Sequence, residues 1–372
     1  MKRSQLLKGD VLFNIVGASI GRACVFDQEV DANINQAIAI IRPDKFKILS
    51  SYLCYILNSE VFQNYFSKEK SGGARDNIDL YQLRNTPINI PPLSIQAELV
   101  ELMDTAYNLK KAKETEAKKI LEGINDYVMS ELGIDKAEEK VEKKNFAVKV
   151  GQIFSGRIDP EFNSPSNQTY QRAINSSKFD KVSISKLIDF VSGYAFKSTD
   201  YVEKGIPLLR IQNITEDGLV FESKKFLPTE YYEKYPRFRI LEDDLVVSMT
   251  GGNDGDGRVG KISWNKENTQ ALLNQRCGII RAKEEIEQGY LFSILSTKLL
   301  RDEMVKNAVV SVQVNISETD ISTIQIPLPP LDIQNKIAAE VTVRRARAKE
   351  LQIEARQILE TAKDEFEQRI CD

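Results

Sequence analysis

Two stretches of the sequence, about 238 residues apart, carry the same residues in the same order, and this constrains the fold more than any other feature. Tyr52-Leu53-x-x-Ile56-Leu57 returns as Tyr290-Leu291-x-x-Ile294-Leu295, and Asn77-Ile78 returns as Asn315-Ile316. Ile90-Pro91-Pro92-Leu93-x-Ile95-Gln96 returns as Leu328-Pro329-Pro330-Leu331-x-Ile333-Gln334. Aligned without a gap, residues 52–96 and 290–334 agree at 13 of 45 positions, too many for unrelated segments. Solenoid units repeat every ~20–50 residues. A repeat this widely spaced is a duplicated domain. A duplicated protein presents two related surfaces, which suits a ligand with two related halves.

Composition narrows the function classes. A length of 372 residues allows two or three domains. Hydrophobic content of 42% and charged content of 28% are ordinary for a soluble globular protein. No apolar run approaches the roughly 18 residues of a membrane span. The opening Met1-Lys2-Arg3-Ser4-Gln5-Leu6-Leu7 has no apolar core of a secretory signal. The four cysteines, Cys24, Cys54, Cys277 and Cys371, form no CxxC pair, so free thiols and no zinc site are expected. Together these predict a cytoplasmic protein without a membrane partner. Histidine is absent, which removes the usual general base and the commonest metal ligand. No catalytic residue, metal or cofactor is therefore assigned. The net charge of −3 gives no global basic field. A nucleic-acid binder of this composition must concentrate its Lys and Arg locally.

Each copy of the repeat breaks into the same parts. A strand comes first: Asp10-Val11-Leu12-Phe13-Asn14-Ile15-Val16, and Asp244-Leu245-Val246-Val247-Ser248-Met249-Thr250. A Gly-rich loop follows, Gly17–Arg22 in one copy and the longer Gly251–Gly260 in the other. A second strand has a polar lead-in, Asn33-Ile34-Asn35-Gln36 and Asn274-Gln275-Arg276. Then come a helix (Ser50–Phe66; Gly289–Val305), a polar loop and an extended Pro-Pro segment. A long helical run closes each copy, from about Ser94 to Leu132 and from about Asp332 to the C-terminus. Ser94 and Asp332 sit where N-caps belong. Such runs span ~55–60 Å at 1.5 Å per residue and suggest a coiled coil. The expected fold is α+β: a partial β-rich domain over 1–93, a helix over 94–133, a charged linker over 134–154, a complete β-rich domain over 155–330 and a second helix over 331–372. Residues 155–239 have no counterpart in the first copy, so the chain is read as opening inside its first domain.

Candidate chemistry lies in the loops. Gly251-Gly252-Asn253-Asp254-Gly255-Asp256-Gly257 is no phosphate-binding loop, because residues 258–264 after it read as a strand rather than a helix. It is either a hairpin loop or one that touches DNA, through Thr250, Gly251, Asn253 and Arg258 in this copy and Ser19 and Arg22 in the other. Asp254 and Asp256 lack the Glu that completes a calcium loop, since Asn265 stands there. Glu242-Asp243-Asp244 reads as a turn before a strand. The lead-ins Asn274, Gln275 and Arg276, with Asn35 and Gln36, either cap the backbone or read bases, since Asn and Gln match adenine and Arg matches guanine. The same two readings apply to Asn77 with Arg75, and to Asn315 with Ser311 and Gln313. Framework residues repeat while loop residues diverge. Lys110-Lys111-Ala112-Lys113 and Arg344-Arg345-Ala346-Arg347 are solvated helix faces or phosphate and partner contacts.

The whole order resembles the DNA-specificity subunit of type I restriction–modification enzymes. The resemblance rests on Arg157-Ile158-Asp159-Pro160-Glu161-Phe162, Ser192-Gly193-Tyr194-Ala195-Phe196, Ile206 through Ile214, Gly9-Asp10-Val11-Leu12 and the twin Pro-Pro-Leu-x-Ile-Gln openings. It implies two target-recognition domains, each followed by a long helix, the helices pairing antiparallel as a spacer. It adds Arg210, Gln212 and Asn213 to the candidate DNA contacts. It implies double-stranded DNA, methyltransferase subunits and restriction subunits as partners. The subunit itself is implied to be non-catalytic, with S-adenosylmethionine, ATP and Mg belonging to the partner subunits. The first copy departs from the family pattern, so residues 155–330 are expected to carry the DNA reading. The strands left open in the first copy are expected to pair with another copy or a separate partial chain. A coiled-coil scaffold whose β-rich domains bind protein is the alternative. A nuclease with its own carboxylate site finds no suitable Asp/Glu spacing.

Overall fold

A computed structural model describes residues 4–17, 19–68, 78–134, 169–216, 218–221, 225–251, 259–306, 309–310 and 314–371. The chain divides into two compact units, one of residues 1–117 with 350–372 and one of residues 118–349.

The first unit begins with three short strands, β1 (Val11–Asn14), β2 (Ala23–Val25) and β3 (Ile38–Ile41), in the antiparallel order β2-β1-β3. Val11 pairs with Val25 on one side and with Ile41 on the other. Alternation along β1 turns Val11 and Phe13 to the interior, where both are fully buried. They meet helices α1 (Ser50–Asn58) and α2 (Glu60–Lys68), with Phe13 and Phe66 rings 5.2 Å apart. A short helix, α3 (Leu80–Asn85), opens on an Asp79 capping box. The long α4 (Leu93–Leu132) and α10 (Leu331–Cys371) each contribute a part to this unit. Leu99, Met103 and Phe366 from these parts close the core over Tyr52 and Ile56. Each such burial contributes about 1.5–3 kcal/mol. Within the unit the two helix parts run antiparallel, since Arg369 bonds Glu98 at 2.8 Å while Lys113 bonds Glu354.

The second unit opens with α5 (Thr169–Ser176), β4 (Lys181–Ser183) and β5 (Ile188–Ser192). Next come β6 (Ile206–Leu209), β7 (Ile214–Thr215), β8 (Gly218–Leu219), β9 (Phe226–Leu227) and α6 (Tyr231–Lys234). The repeated frame is then built from β10 (Leu245–Ser248), β11 (Ile262–Trp264), β12 (Leu272–Leu273), β13 (Cys277–Ala282), α7 (Gln288–Leu295) and α8 (Lys298–Lys306). The unit ends with β14 (Val309–Val310), β15 (Val314–Asn315), α9 (Glu318–Ser322), β16 (Gln325–Pro327) and its part of α10. Its main sheet is antiparallel in the order β11-β10-β13-β5. β10 is buried at every residue, which accounts for its unbroken apolar run. Leu245 and Val247 pack on Tyr290, Ile294 and the helical residues Val128 and Ile337. Val246 and Ile279 pack on the opposite side against Leu209, Ile214 and Ile240. The residues without a counterpart in the first copy thus supply a second cover for the sheet.

Two local expectations need correction. The helix expected over Ser50–Phe66 is broken at Ser59, and that over Gly289–Val305 is broken at Ser296-Thr297. At each break a hydroxyl bonds back to the preceding turn: Ser59 Oγ donates to the Ile56 carbonyl at 2.7 Å and Thr297 Oγ1 to the Ile294 carbonyl at 2.6 Å. The long helices open at Leu93 and Leu331, so Ser94 and Asp332 lie inside the first turn rather than at the cap. Glu242-Asp243-Asp244 is the turn that was expected, with Asp243 at a φ of 66°.

Candidate nucleic-acid interface

The repeated residues hold the same bonds in both units. Asp10 is buried at the head of β1 and takes the Arg42 guanidinium through Nε and Nη2, each at 2.7 Å. Asp244 takes Arg281 in the same fork, at 2.7 and 2.9 Å. Each carboxylate also accepts the backbone N–H three residues before it, from Leu7 and Leu241, both at 2.8 Å. Each Arg spends Nη2 on one more carbonyl, of Gln5 or Arg239, both at 3.2 Å. Bidentate charge-assisted pairs of this kind fix direction as well as energy. The hydrogen bond from Arg42 holds the Asp10 carboxyl below its ordinary range.

The glutamine of the Pro-Pro motif explains why that motif repeats. Gln96 accepts from Leu49 N–H and donates to the carbonyls of Lys47 and Pro91, all at 2.8 Å. Gln334 does the same with Glu287 N–H, Glu285 and Pro329, at 2.8, 3.3 and 2.8 Å. One buried amide therefore ties the start of a long helix to the start of the helix behind the sheet. The phenols of Tyr52 and Tyr290 add a bond to the extended segment, on Asn89 O at 3.0 Å and Pro327 O at 2.6 Å.

This frame presents loops at one end of each sheet. In the second unit β10 ends, β13 begins and β5 ends on the same side, because neighbouring strands are antiparallel. Met249 N–H donates to Arg276 O at 2.9 Å, and Gln275 N–H donates to Tyr194 O at 3.0 Å. Thr250 forms a β-bridge with Asn315. Thr250, Gly251, Asn274, Gln275, Arg276 and Asn315 are thereby brought together from three separate segments. Gln275, Arg276 and Asn315 are exposed, whereas Thr250 and Gly251 are buried. Gly193 lets β5 end here, since any Cβ would run into the Asn274 backbone.

Two expected base readers are turned inward. Asn274 is 6% exposed, and its Oδ1 accepts from Arg276 N–H at 3.3 Å. Asn213 is 1% exposed, with its amide divided between Arg210 N–H and Val220 O. Both amides shape turns, which for Asn274 is the capping reading. Their neighbours Arg210, half-buried, and Gln212, exposed, lie on the loop after β6, and Asn274 N–H donates to Leu209 O at 3.1 Å. In the first unit Asn35 likewise spends Oδ1 on Ala37 N–H at 3.0 Å, while Gln36 and Arg22 are exposed. Ser19 Oγ accepts from Asn14 Nδ2 at 2.7 Å and steadies the loop after β1. Asn253, Arg258, Ser311, Gln313, Arg75 and Asn77 lie outside the described residues.

A group of aromatic side chains at this loop end escaped sequence reading. Tyr194, 41% exposed, contacts Phe196, Tyr235 and Phe238 with ring centroids 4.9–5.2 Å apart. Lys234 lies over the Tyr231 and Tyr235 rings at 5.2 and 5.5 Å. The interleaving of Tyr and Lys in Tyr231-Tyr232-Glu233-Lys234-Tyr235 was the available signal. Cys277, at the start of β13, is fully buried, and burial pushes its thiol up and keeps it protonated. Among the described residues no cluster of Cys, Asp or Glu could hold a metal ion. No helix among them is long and apolar enough to cross a membrane.

The chain is similar to several known proteins. The family model described as type I restriction modification DNA specificity domain matches residues 2–122 and 164–349. The type I restriction enzyme MjaVIII specificity subunit of Methanocaldococcus jannaschii is 26% identical over 297 residues, covering 79% of this chain and 63% of that protein. The chain thus spans less than two thirds of that relative's length. The EcoBI specificity subunit of Escherichia coli is 30% identical over 129 residues, or 35% of this chain and 27% of that protein. A solved structure from work on complex assembly and conformational transition of the type I R-M system aligns with a TM-score of 0.53 at 18% identity. It covers 96% of this chain and 82% of its own, and it supports the fold.

Proposed function

Because the chain belongs to the type I restriction modification DNA specificity domain family, we propose that it is the sequence-reading, non-catalytic subunit of a restriction–modification complex. It reads double-stranded DNA with a bipartite site. The carrying observation is the twice-built frame: identical Asp–Arg forks and Gln ties support loops of different sequence at the same end of each sheet. Constant support under variable loops is what reading two different half-sites requires. Base contacts come from exposed loop side chains, led by Gln275 and Arg276, and phosphate contacts position them. Asn253, Arg258, Ser311 and Gln313 belong to the same loops by sequence. The Lys234-capped aromatic group stands beside them for sugar or base contact.

In this reading the antiparallel parts of α4 and α10 form a coiled-coil spacer that sets the gap between half-sites. Methyltransferase subunits dock on the chain and restriction subunits join them in the cytoplasm. S-adenosylmethionine, ATP and Mg serve those partners. The test is methylation mapping of a genome with this gene intact and deleted. Loss of one split, asymmetric adenine motif on deletion is expected. The purified complex should also protect that split site in the presence of salt. Binding without sequence preference that collapses as salt rises would overturn the reading.

A further inference from the structure

The two copies of the frame diverge at the turn behind the first repeated strand. In each, a glycine of positive φ closes that turn, Gly21 at 89° and Gly260 at 72°. Gly21 N–H donates to Asn14 O at 2.8 Å, and Gly260 N–H donates to Ser248 O at 2.9 Å. The carbonyl of the next residue, Arg22 or Lys261, accepts the N–H of that same Asn14 or Ser248 at 2.9 Å. Along the helices the spacing of about 238 residues makes Asn58, Gln63 and Tyr107 the equivalents of Ser296, Arg301 and Arg345. In the first unit these side chains are spent on their own surroundings. Gln63 Nε2 donates to the carbonyls of Gly21 and Leu57, at 2.8 and 2.6 Å. Asn58 bonds both backbone groups of Ala23, and Tyr107 stacks on Tyr55 with centroids 5.9 Å apart.

The second unit has a cavity of about 110 Å³ at this place. It lies where α4, the turn between β7 and β8, the start of β11, the junction of α7 and α8, and α10 meet. Lys261, Arg301, Arg345, Asn125 and Ser296 line it, and Glu216 is the one lining carboxylate among the described residues. Three cations against one carboxylate leave the walls positive. Arg301 donates Nε to Val259 O at 3.4 Å, with Nη1 3.7 Å from the Glu216 carboxylate. Arg345 donates Nη1 to Glu216 O at 3.1 Å and lies over the Phe292 ring at 4.8 Å. Both guanidinium groups are thus held in place by the fold. Asn125 Oδ1 accepts from Lys298 N–H at 3.1 Å, which leaves its NH2 as the group that can donate. The Glu216 side chain is 59% exposed against 27% for Arg301, so water screens the carboxylate more than the cation.

We propose that this cavity is a phosphate site, in which Arg301 and Arg345 clasp a tetrahedral oxyanion and Lys261 helps to neutralise it. A planar guanidinium matches two phosphate oxygens at once, and an ammonium adds a point charge. Walls that offer donors suit a ligand made of acceptors. Room for one water takes roughly 10–15 Å³, so the cavity admits several waters or one such anion. The phosphate is either a backbone phosphate of DNA or a free phosphate ion. The first unit has no equivalent site, because Gln63 and Tyr107 stand where the two arginines are needed.

Trp264, the single tryptophan, reports on the cavity, since its ring lies 5.5 Å from Phe292, which Arg345 covers. Inorganic phosphate is titrated into the full chain, with chloride at matched ionic strength as the control. A saturating change in Trp264 fluorescence is expected in phosphate and none in chloride. Lys261→Gln and Arg301→Gln are each expected to weaken phosphate binding about tenfold, the loss of one bond to a charged group. Lys261 makes no ion pair among the described residues, so the K261Q melt in chloride is expected to match that of the parent chain. The proposal is overturned if phosphate does no more than chloride, or if its effect survives both substitutions. Repeating the titration with double-stranded DNA of unrelated sequence identifies the source. If a backbone phosphate fills the cavity, DNA displaces inorganic phosphate, and K261Q lowers the slope of log affinity against log salt by about one. If the ligand is a free phosphate, DNA leaves the titration unchanged. This arm alone rests on DNA recognition, so a chain that binds no DNA still decides the phosphate site.

Discussion

The first and second units share a frame and differ in its cover. In both, a buried carboxylate takes an Arg fork, a buried Gln ties two helix starts, and a Tyr hydroxyl fixes the extended segment between them. Among the described residues only the second unit sandwiches its sheet, with Ile184 and Ile188 at one face and Leu209, Ile214 and Ile240 at the other. Polar ties therefore set the geometry of this fold without the full apolar cover. The cover decides how far the sheet is buried. Equal ties and unequal cover give different predictions for equivalent substitutions in the two units.

The largest effect is expected at the glutamines. Gln334→Ala and Gln96→Ala each leave one N–H and two carbonyls without their partner, at ~2–4 kcal/mol. Urea unfolding read by Trp264, the single tryptophan, reports the second unit, and amide exchange reports the first. Losses differing by more than about 1.5 kcal/mol would break the equivalence of the two frames. Next is Arg276→Ala, which leaves the Trp264 melt unchanged and weakens specific DNA binding by the complex by ~1–3 kcal/mol. Unaltered binding would remove Arg276 from the interface.

Tyr290→Phe is expected to lose ~1–2 kcal/mol, because the Pro327 carbonyl is buried with it. Tyr52→Phe is expected to lose under ~1 kcal/mol, because Asn89 is exposed and water replaces the hydroxyl. Equal losses would show that cover does not modulate the shared bond. The smallest effect is acid sensitivity of the first unit. The folded pKa of Asp10 lies below its ordinary value of 3.8. Its stabilisation is complete above that value and fades as pH falls through the folded pKa. Arg42 is 53% exposed, so solvent screens the pair and the effect is modest. Asp10→Asn is expected to flatten the stability of the first unit between pH 5 and 2 (about the range in which carboxyls titrate), and an unchanged acid slope would count against the pair.

Much of this molecule was legible in the chain. The strand, lead-in, helix and Pro-Pro order of each copy is present among the described residues, apart from the break in each helix, because period-2 and period-3.6 apolar patterns report burial on one face. The helix breaks at Ser59 and Thr297 were not legible, since a hydroxyl that bonds back to the chain looks like any other polar residue in a helix. The inward turn of Asn213 and Asn274 was hidden for the same reason: an amide that reads a base and one that closes a turn have identical sequence signatures. The aromatic group around Tyr194 draws on residues from 194 to 238, and no local window joins them.

The sequence by itself determined the duplication, the element order, the long Pro-free helices and the family, because each is a pattern along the chain. Only the tertiary structure decided which polar side chains are spent on the fold and which face outward. It alone set Arg276 beside Met249, joined Thr250 to Asn315, and left Ile40 half-buried while Ile279 is enclosed. These are contacts between distant segments, and their energy depends on the cover over them, a quantity that no single stretch of sequence contains.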